Sequence, residues 1–232
     1  MARSHRITAT IERITVILYA LVLFIFTSIS AVWIVSSEPV VRAVAQRTHP
    51  VLSQGVATVL SVEERMQAAT MTTRYVRGSE DRTRMVAFYE TDPLAGESSI
   101  QHLKDVRDVF DGLRLVGRYY TFAAVTALLW FLFRGRWAVL RRSFQIGASL
   151  CLGVPIVLGL IVAVAFDPLF VLFHRVFFPQ GNWQFTAYSH LIQVFPESFW
   201  IIASVMILAL IALVGTILFF LARLLPATSD AC

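Results

Sequence analysis

Residues 14–35 read ITVILYALVLFIFTSISAVWIV, and this run decides the fold. It carries no charge, no Pro and no Gly. A helix rises ~1.5 Å per residue, so the run is long enough to cross a hydrocarbon core of ~30 Å. Three more runs qualify: residues 117–133, 144–166 and 199–221. The second is the weakest, because Arg118 stands at its mouth. Across all 232 residues the chain is 57% hydrophobic, above the ~45–50% of soluble domains. The first run is longer than the ~7–15-residue apolar stretch of a signal peptide, and no clear A-x-A site follows it. It is therefore expected to stay as an anchor.

Arginine sets the expected orientation. Arg3, Arg6 and Arg13 precede the first run, and Arg134, Arg136, Arg141 and Arg142 separate the second from the third. Arg223 follows the fourth. The positive-inside rule makes these flanks cytoplasmic. The expectation is an α-helical integral membrane protein with four transmembrane helices, N-in and C-in, and a mostly helical extracellular cap. The divisions are 1–35 (cytoplasmic N-terminus and first span), 36–116 (cap) and 117–134 (second span). Then come 135–143 (cytoplasmic basic loop), 144–166 (third span), 167–198 (extracellular aromatic segment), 199–222 (fourth span) and 223–232 (cytoplasmic tail). The cap has ten Lys/Arg against eleven Asp/Glu. The net charge of +5 thus follows from topology and makes no case for nucleic acid. Cys151 falls inside a span and Cys232 ends the chain, so no disulfide is expected.

Within the cap, Glu38 and Pro39 open one helix, an acid followed by Pro in the first turn. Ser61 and Glu64 form a capping box for a second, over about residues 62–75. Residues 85–89, MVAFY, read as a short strand or extended piece, and TDPLAG over 91–96 as a turn. A third helix, capped by Ser98 or Ser99, is expected to run to about Leu115. On it His102, Asp105 and Val106 share a face. Asp105 can then reach the His102 imidazole, fixing its tautomer and raising its pKa. An H-x-x-D pair is more often a solvated helix face.

The segment from residue 167 to 198 differs in kind. It holds His174, Arg175, Phe177, Phe178, Trp183, Phe185, Tyr188, His190 and Phe195. Aromatics gather at membrane interfaces for their apolar body and polar tip, and that reading alone accounts for most of them. The histidines need more, since ionisable groups at this depth face a cavity or a partner. A bend at Gly112 or Gly117 is expected to lay the His102 helix flat, bringing His102 to the level of His174 as an acid/base pair.

These residues resemble a family. ESSIQHLKDVRDVF, DPLFVLFHRVFFPQGNWQF and LIQVFPESFW are similar to segments of the lipoprotein intramolecular transacylase (Lit) family of four-helix membrane proteins. The shared marks are His102-Leu103-Lys104-Asp105-Val106, then Phe173-His174 through Phe177-Phe178, Trp183 and Phe185, and Leu191-Ile192 to Pro196-Glu197. The resemblance spans the whole topology. It is specific over roughly 45 residues, in keeping with how such motifs are weighed against chance, and weak before them.

The resemblance implies a bacterial plasma-membrane acyltransferase with its active site at the extracellular face. Its substrate would be a diacylglyceryl lipoprotein with a free N-terminal cysteine amine. The sn-2 acyl chain would move to that amine and leave a lyso-form lipoprotein. The family's catalytic histidines fall on His102 and His174. No covalent acyl-enzyme is needed, because nucleophile and ester share one molecule, and no G-x-S-x-G elbow is present. His174 is expected to serve as base for the amine, with His102, oriented by Asp105, as its proton-exchange partner. Phe173, Phe177, Phe178, Trp183 and Phe185 are expected to wall the substrate chamber. Arg175 has two readings: it stabilises an oxyanion, or it snorkels to headgroups, which is preferred. No cofactor and no metal are expected, and the partners are the lipoprotein and membrane lipids. Three other readings stay open. One is a related enzyme on another lipid, and one is a scaffold or accessory subunit whose cap binds a partner. The third is a metal site drawing on His102, Asp105, His174 and His190, whose spacing matches no metal motif.

Overall fold

The computed structural model describes residues 2–50 and 60–227, and the side chains from Arg6 onward within the first helix. Cys232 lies outside the described residues. Every regular element among them is helical. In chain order they are α1 (Ala2–Val35), α2 (Glu38–Ala45), α3 (Val62–Val76), α4 (Thr83–Tyr89), α5 (Gly96–Phe133), α6 (Trp137–Val164), α7 (Phe166–Phe177), α8 (His190–Val194) and α9 (Glu197–Leu224). Four are long and apolar enough to cross a membrane: residues 6–35 of α1, and α5, α6 and α9. In the most apolar window of each, only 11 to 33% of residues are buried within the protein. These helices present Phe122, Phe133, Val164 and Leu224 outward, a surface that lipid satisfies and water does not.

The chain divides into two compact units. The first comprises Met1–Ala31, Leu115–Gly159 and Ile207–Cys232. Its core joins Val16, Tyr19, Phe131, Val139, Leu140, Phe144, Ala148, Leu218 and Ala222. Polar groups inside it are paired, as a low-dielectric interior demands. The Tyr19 hydroxyl donates to the Ala124 carbonyl at 3.1 Å, and Ser143 Oγ donates to the Val16 carbonyl at 3.2 Å. Arg142 pairs with Glu12 at 3.0 Å.

Gly215 permits a close helix approach in this unit. A Cβ there would stand 2.9 Å from Cys151 Cβ and 3.0 Å from the Cys151 carbonyl carbon. Backbone cannot step aside as a side-chain tip can. Small residues at such crossings let membrane helices pack by van der Waals contact. Gly215→Val is expected to lower thermal stability by about 1–3 kcal/mol through overpacking. A melting curve in detergent checks it, with Gly153→Val, where a Cβ meets nothing within 4 Å, as the tolerant control.

The second unit comprises Val32–Arg114 and Leu160–Met206. Here α3 packs against α2, α4 and α8. Pro39 sits in the first turn of α2, with Glu38 beside it. The Ser61–Glu64 capping box of α3 is present in both directions. Arg74 holds Glu38 with two bonds of 2.9 and 3.0 Å. Arg77 stacks over Trp33 at 4.5 Å and donates to the Trp33 carbonyl and Ser36 Oγ, both at 2.8 Å. The fully buried Tyr89 meets Thr72 across 3.0 Å.

Two expectations are corrected. Residues 85–89 are helical, not extended. Met85 and Tyr89 are buried while Ala87 is exposed, whereas a strand would put all three on one face. No strand among the described residues stands ready to pair with them, and a lone strand leaves its backbone groups unsatisfied. Second, the cap's third helix does not stop near Leu115. It starts at Gly96, ahead of Ser98 and Ser99, and runs unbroken to Phe133. A glycine inside a helix costs about 1 kcal/mol relative to alanine, too little to break it between strong helix formers. Gly117 serves packing instead, with Ile29 Cγ2 3.1 Å from where its Cβ would be.

Candidate functional site

His102 lies early in α5 and His174 in the last turn of α7, both within the second unit. Lys104, Asp105, Arg107, Asp108 and Asp111 follow His102, so this part of α5 is unsuited to hydrocarbon and the apolar span starts beyond it. Helix α7 is amphipathic. Leu172, Phe173, Val176 and Phe177 lie outward, and His174 alone in its last turn is buried. The two imidazoles are stacked, centroids 5.9 Å apart and planes 28° from parallel. They are 7% and 8% exposed.

An aromatic wall surrounds the pair. Phe178 puts its ring edge against His102 at 4.8 Å and leans on His174 at 5.6 Å. Phe185 is 5.7 Å from His102. Trp183 is 4.9 Å and Phe173 5.4 Å from His174. Phe177 packs on Phe173 at 4.7 Å, one ring further out. Phe170 was not anticipated, although its ring is only 4.0 Å from His174. Its signal was the i, i+4 spacing on α7, once that segment is known to be a helix.

The histidines are held differently. His174 Nδ1 lies 2.8 Å from the Phe170 carbonyl. A carbonyl only accepts, so Nδ1 carries the proton and Nε2 keeps its lone pair. Burial lowers the His174 pKa, while the Phe170 bond opposes it. For His102, burial is the first cause and the neighbouring His174 the second, and they bring its pKa down to about 4. Asp105 and the Asn182 amide pull the other way. Both rings are therefore neutral near pH 7.

Asp105 does not hydrogen-bond the His102 imidazole. Its Oδ1 accepts from Gln101 Nε2 at 3.1 Å. Its Oδ2 accepts from Gln180 Nε2 and Asn182 Nδ2, both at 2.6 Å. The carboxylate thus ties the segment after α7 to α5. Gly181, between the two amides, has φ +80°, the left-handed region that glycine enters without strain. That reversal lets both neighbouring side chains converge on one oxygen. Asn182 and Gln180 were missed by the motif reading. Their only sequence signal was a pair of amides flanking a glycine within an aromatic run.

Arg175 is exposed and makes no hydrogen bond or ion pair with the described residues. His190 stands apart from the pair. Its backbone N–H donates to Asp92 Oδ2 at 2.8 Å, and its ring tilts against Phe88 at 5.6 Å. Among the described residues no group of three His, Cys, Asp or Glu side chains is placed to hold a metal ion.

A family model described as Lipoprotein intramolecular transacylase Lit matches residues 11–200. The chain belongs to the Lit family. Lit structures from Bacillus cereus share its fold. One is 18% identical, with a TM-score of 0.72 over 93% of this chain and 96% of that one. A histidine-to-alanine variant is 17% identical, with a TM-score of 0.67 over 96% of each chain. A histidine-to-arginine variant is 19% identical, with a TM-score of 0.62 over 97% and 96%. All three are described as membrane-integral lipoprotein intramolecular transacylases. No individual curated protein matches the chain. As a Lit-family member with four helices long and apolar enough to span, the chain is a multi-pass membrane transacylase acting on lipoprotein.

Proposed function

We propose that this Lit-family enzyme moves the sn-2 acyl chain of a diacylglyceryl lipoprotein to the amine of its N-terminal cysteine. The observation that carries the reading is the stacked pair of buried, neutral imidazoles inside an aromatic enclosure. Aminolysis of an ester needs a proton removed from nitrogen and a proton delivered to the departing glyceryl oxygen. His174 Nε2, with its lone pair kept by the Phe170 bond, takes the amine proton as nitrogen bonds to the ester carbon. The tetrahedral intermediate collapses as the C–O bond to glycerol breaks. The same proton returns to that oxygen by way of His102, so the enzyme ends unchanged.

No protein nucleophile enters, because the reacting groups already share one molecule. The remaining task is to fold a flexible lipid until amine and ester meet. Phe173, Phe178, Trp183 and Phe185 do this by shape, with Phe177 and Phe170 behind them. Their apolar surface also keeps water from the ester.

In this reading the N- and C-terminal flanks and residues 135–143 are cytoplasmic, and residues 36–116 and 167–198 are extracellular, with the chemistry at that face. The Arg142–Glu12 pair supports placing the first and middle basic flanks on one side. Arg175, exposed and without an acidic partner, is assigned to lipid headgroups.

The test is the N-terminal peptide mass spectrum of a lipoprotein from a host with and without this chain. The expected result is a lyso-form, with one acyl chain on nitrogen and one on glycerol, only when the chain is expressed. A persistent diacylglyceryl form with a free amine would overturn the proposal.

A further inference from the structure

Two polar atoms of the site are buried without a hydrogen-bond partner: His102 Nδ1 and Asn182 Oδ1. Each is costly alone, because desolvation is not repaid. Together they are complementary, since an Nδ1–H is a donor and an amide oxygen an acceptor.

The orientation of the Asn182 amide follows from its other partner. Asp105 Oδ2 takes the Asn182 nitrogen at 2.6 Å. An ionised carboxylate only accepts, so a flipped amide would set oxygen against oxygen. The Asn182 oxygen must therefore point away from Asp105. It acts on His102, where the amide favours the protonated ring. Gln180 and Gln101 hold the carboxylate from other sides, so Asp105 cannot swing to replace Asn182. The groups facing His102 are then His174 on α7, Asp105 on α5 and Asn182 on the following segment. Beside the His174 Nε2 lone pair, which is reserved for the substrate amine, Asn182 presents a buried, unpaired acceptor.

We propose that Asn182 is a positioning residue: Asp105 fixes its amide so that its oxygen accepts from Nδ1–H of His102, leaving Nε2 to exchange the proton with the substrate. Asp105 then orients His102 through an intermediary. The bond tightens when His102 receives the proton, because a hydrogen bond from a charged donor is stronger than one from a neutral donor. The order Asp105, Asn182, His102 holds one tautomer in the resting enzyme and steadies the imidazolium during transfer. This inference rests on the acid/base role proposed for His102.

The test is ¹⁵N NMR of the full-length protein in lipid bilayers with labelled histidine, beside rate profiles against pH. Wild-type His102 is expected as the Nδ1–H tautomer. Asn182→Ala is expected to mix the tautomers and to lower kcat by about 10- to 100-fold, the scale of losing a supporting partner, with KM little changed. Asp105→Asn is expected to give the same tautomer mixing, because the amide it holds loses its fixed orientation. An Nε2–H tautomer in the wild type overturns the proposal, whatever the variants do. So does an unchanged His102 tautomer and pH profile in both Asn182→Ala and Asp105→Asn. If His102→Ala keeps full activity, the catalytic reading itself fails. If His102→Ala is inactive while Asn182→Ala is silent, only this inference fails.

Discussion

Replacing either histidine should stop lyso-form production. His174→Ala and His102→Ala are each expected to lower the rate by about 10²- to 10⁴-fold, the usual contribution of a placed acid/base group. The reasoning lies in the proton path. Without His174 the attacking amine keeps its proton as nitrogen bonds to carbon, and the intermediate reverts to ester. Without His102 the glyceryl oxygen must leave as an unprotonated alkoxide. Because the two act in one relay, the double variant should be hardly slower than the worse single one. Mass spectrometry of the lipoprotein N-terminus reads all three. A fully active His174→Ala enzyme would remove the base, and a double variant slower by the product of the two effects would remove the relay.

The pH profile sharpens the same expectation. Both histidine pKa values lie below the ordinary 6.5, so the base is already mostly neutral at pH 6.5 and above. The substrate's α-amine titrates higher, near ~7.7–8.0. Wild-type kcat/KM should therefore rise with pH through the amine's range, not through that of histidine.

Much of this was legible before any coordinates. The four spans follow from apolar runs too long for other use, and Ser61 with Glu64 announced α3. His174 stood out because an imidazole in an apolar setting needs a reason, and His102 because Asp105 shares its helix face. What was hidden is geometric. The cap's third helix looked complete near Leu115, yet a single glycine's propensity is small against a continuous hydrogen-bond ladder. The MVAFY stretch is apolar enough for either period, and only the exposed Ala87 separates them. Asp105 looked like the direct partner of His102 because helical spacing makes them neighbours. The amides it holds instead arrive from 75 and 77 residues away, a distance no local pattern reports.

Phe178→Ala should convert part of the enzyme's output from transfer to hydrolysis. Phe178 is 3% exposed and touches both imidazoles. It also caps α7, where its N–H donates to the His174 carbonyl at 2.7 Å. Removing a buried Phe ring costs about 3–5 kcal/mol of stability, and the space left borders two polar rings, so water enters it. Two consequences follow. Water competes with the amine for the ester, and free fatty acid appears beside lyso-form lipoprotein. Burial is also the main cause holding the His102 pKa at about 4, so that pKa climbs toward 6.5. The sign for stability is set by the neutral ring. In the wild type the unfolded chain binds the extra proton between pH ~6.5 and ~4, so this contribution is complete above that window and drains away as pH falls through it. The Phe178→Ala window should shrink from its acid end, and His102 should take up its proton at a higher pH than in wild type. Phe178→Leu, which refills most of the volume, should recover transfer and suppress fatty-acid release. Quantifying both products over pH 4–8, with melting curves alongside, decides it. Wild-type stability in Phe178→Ala with no fatty acid released would mean that this ring does not keep water from the site.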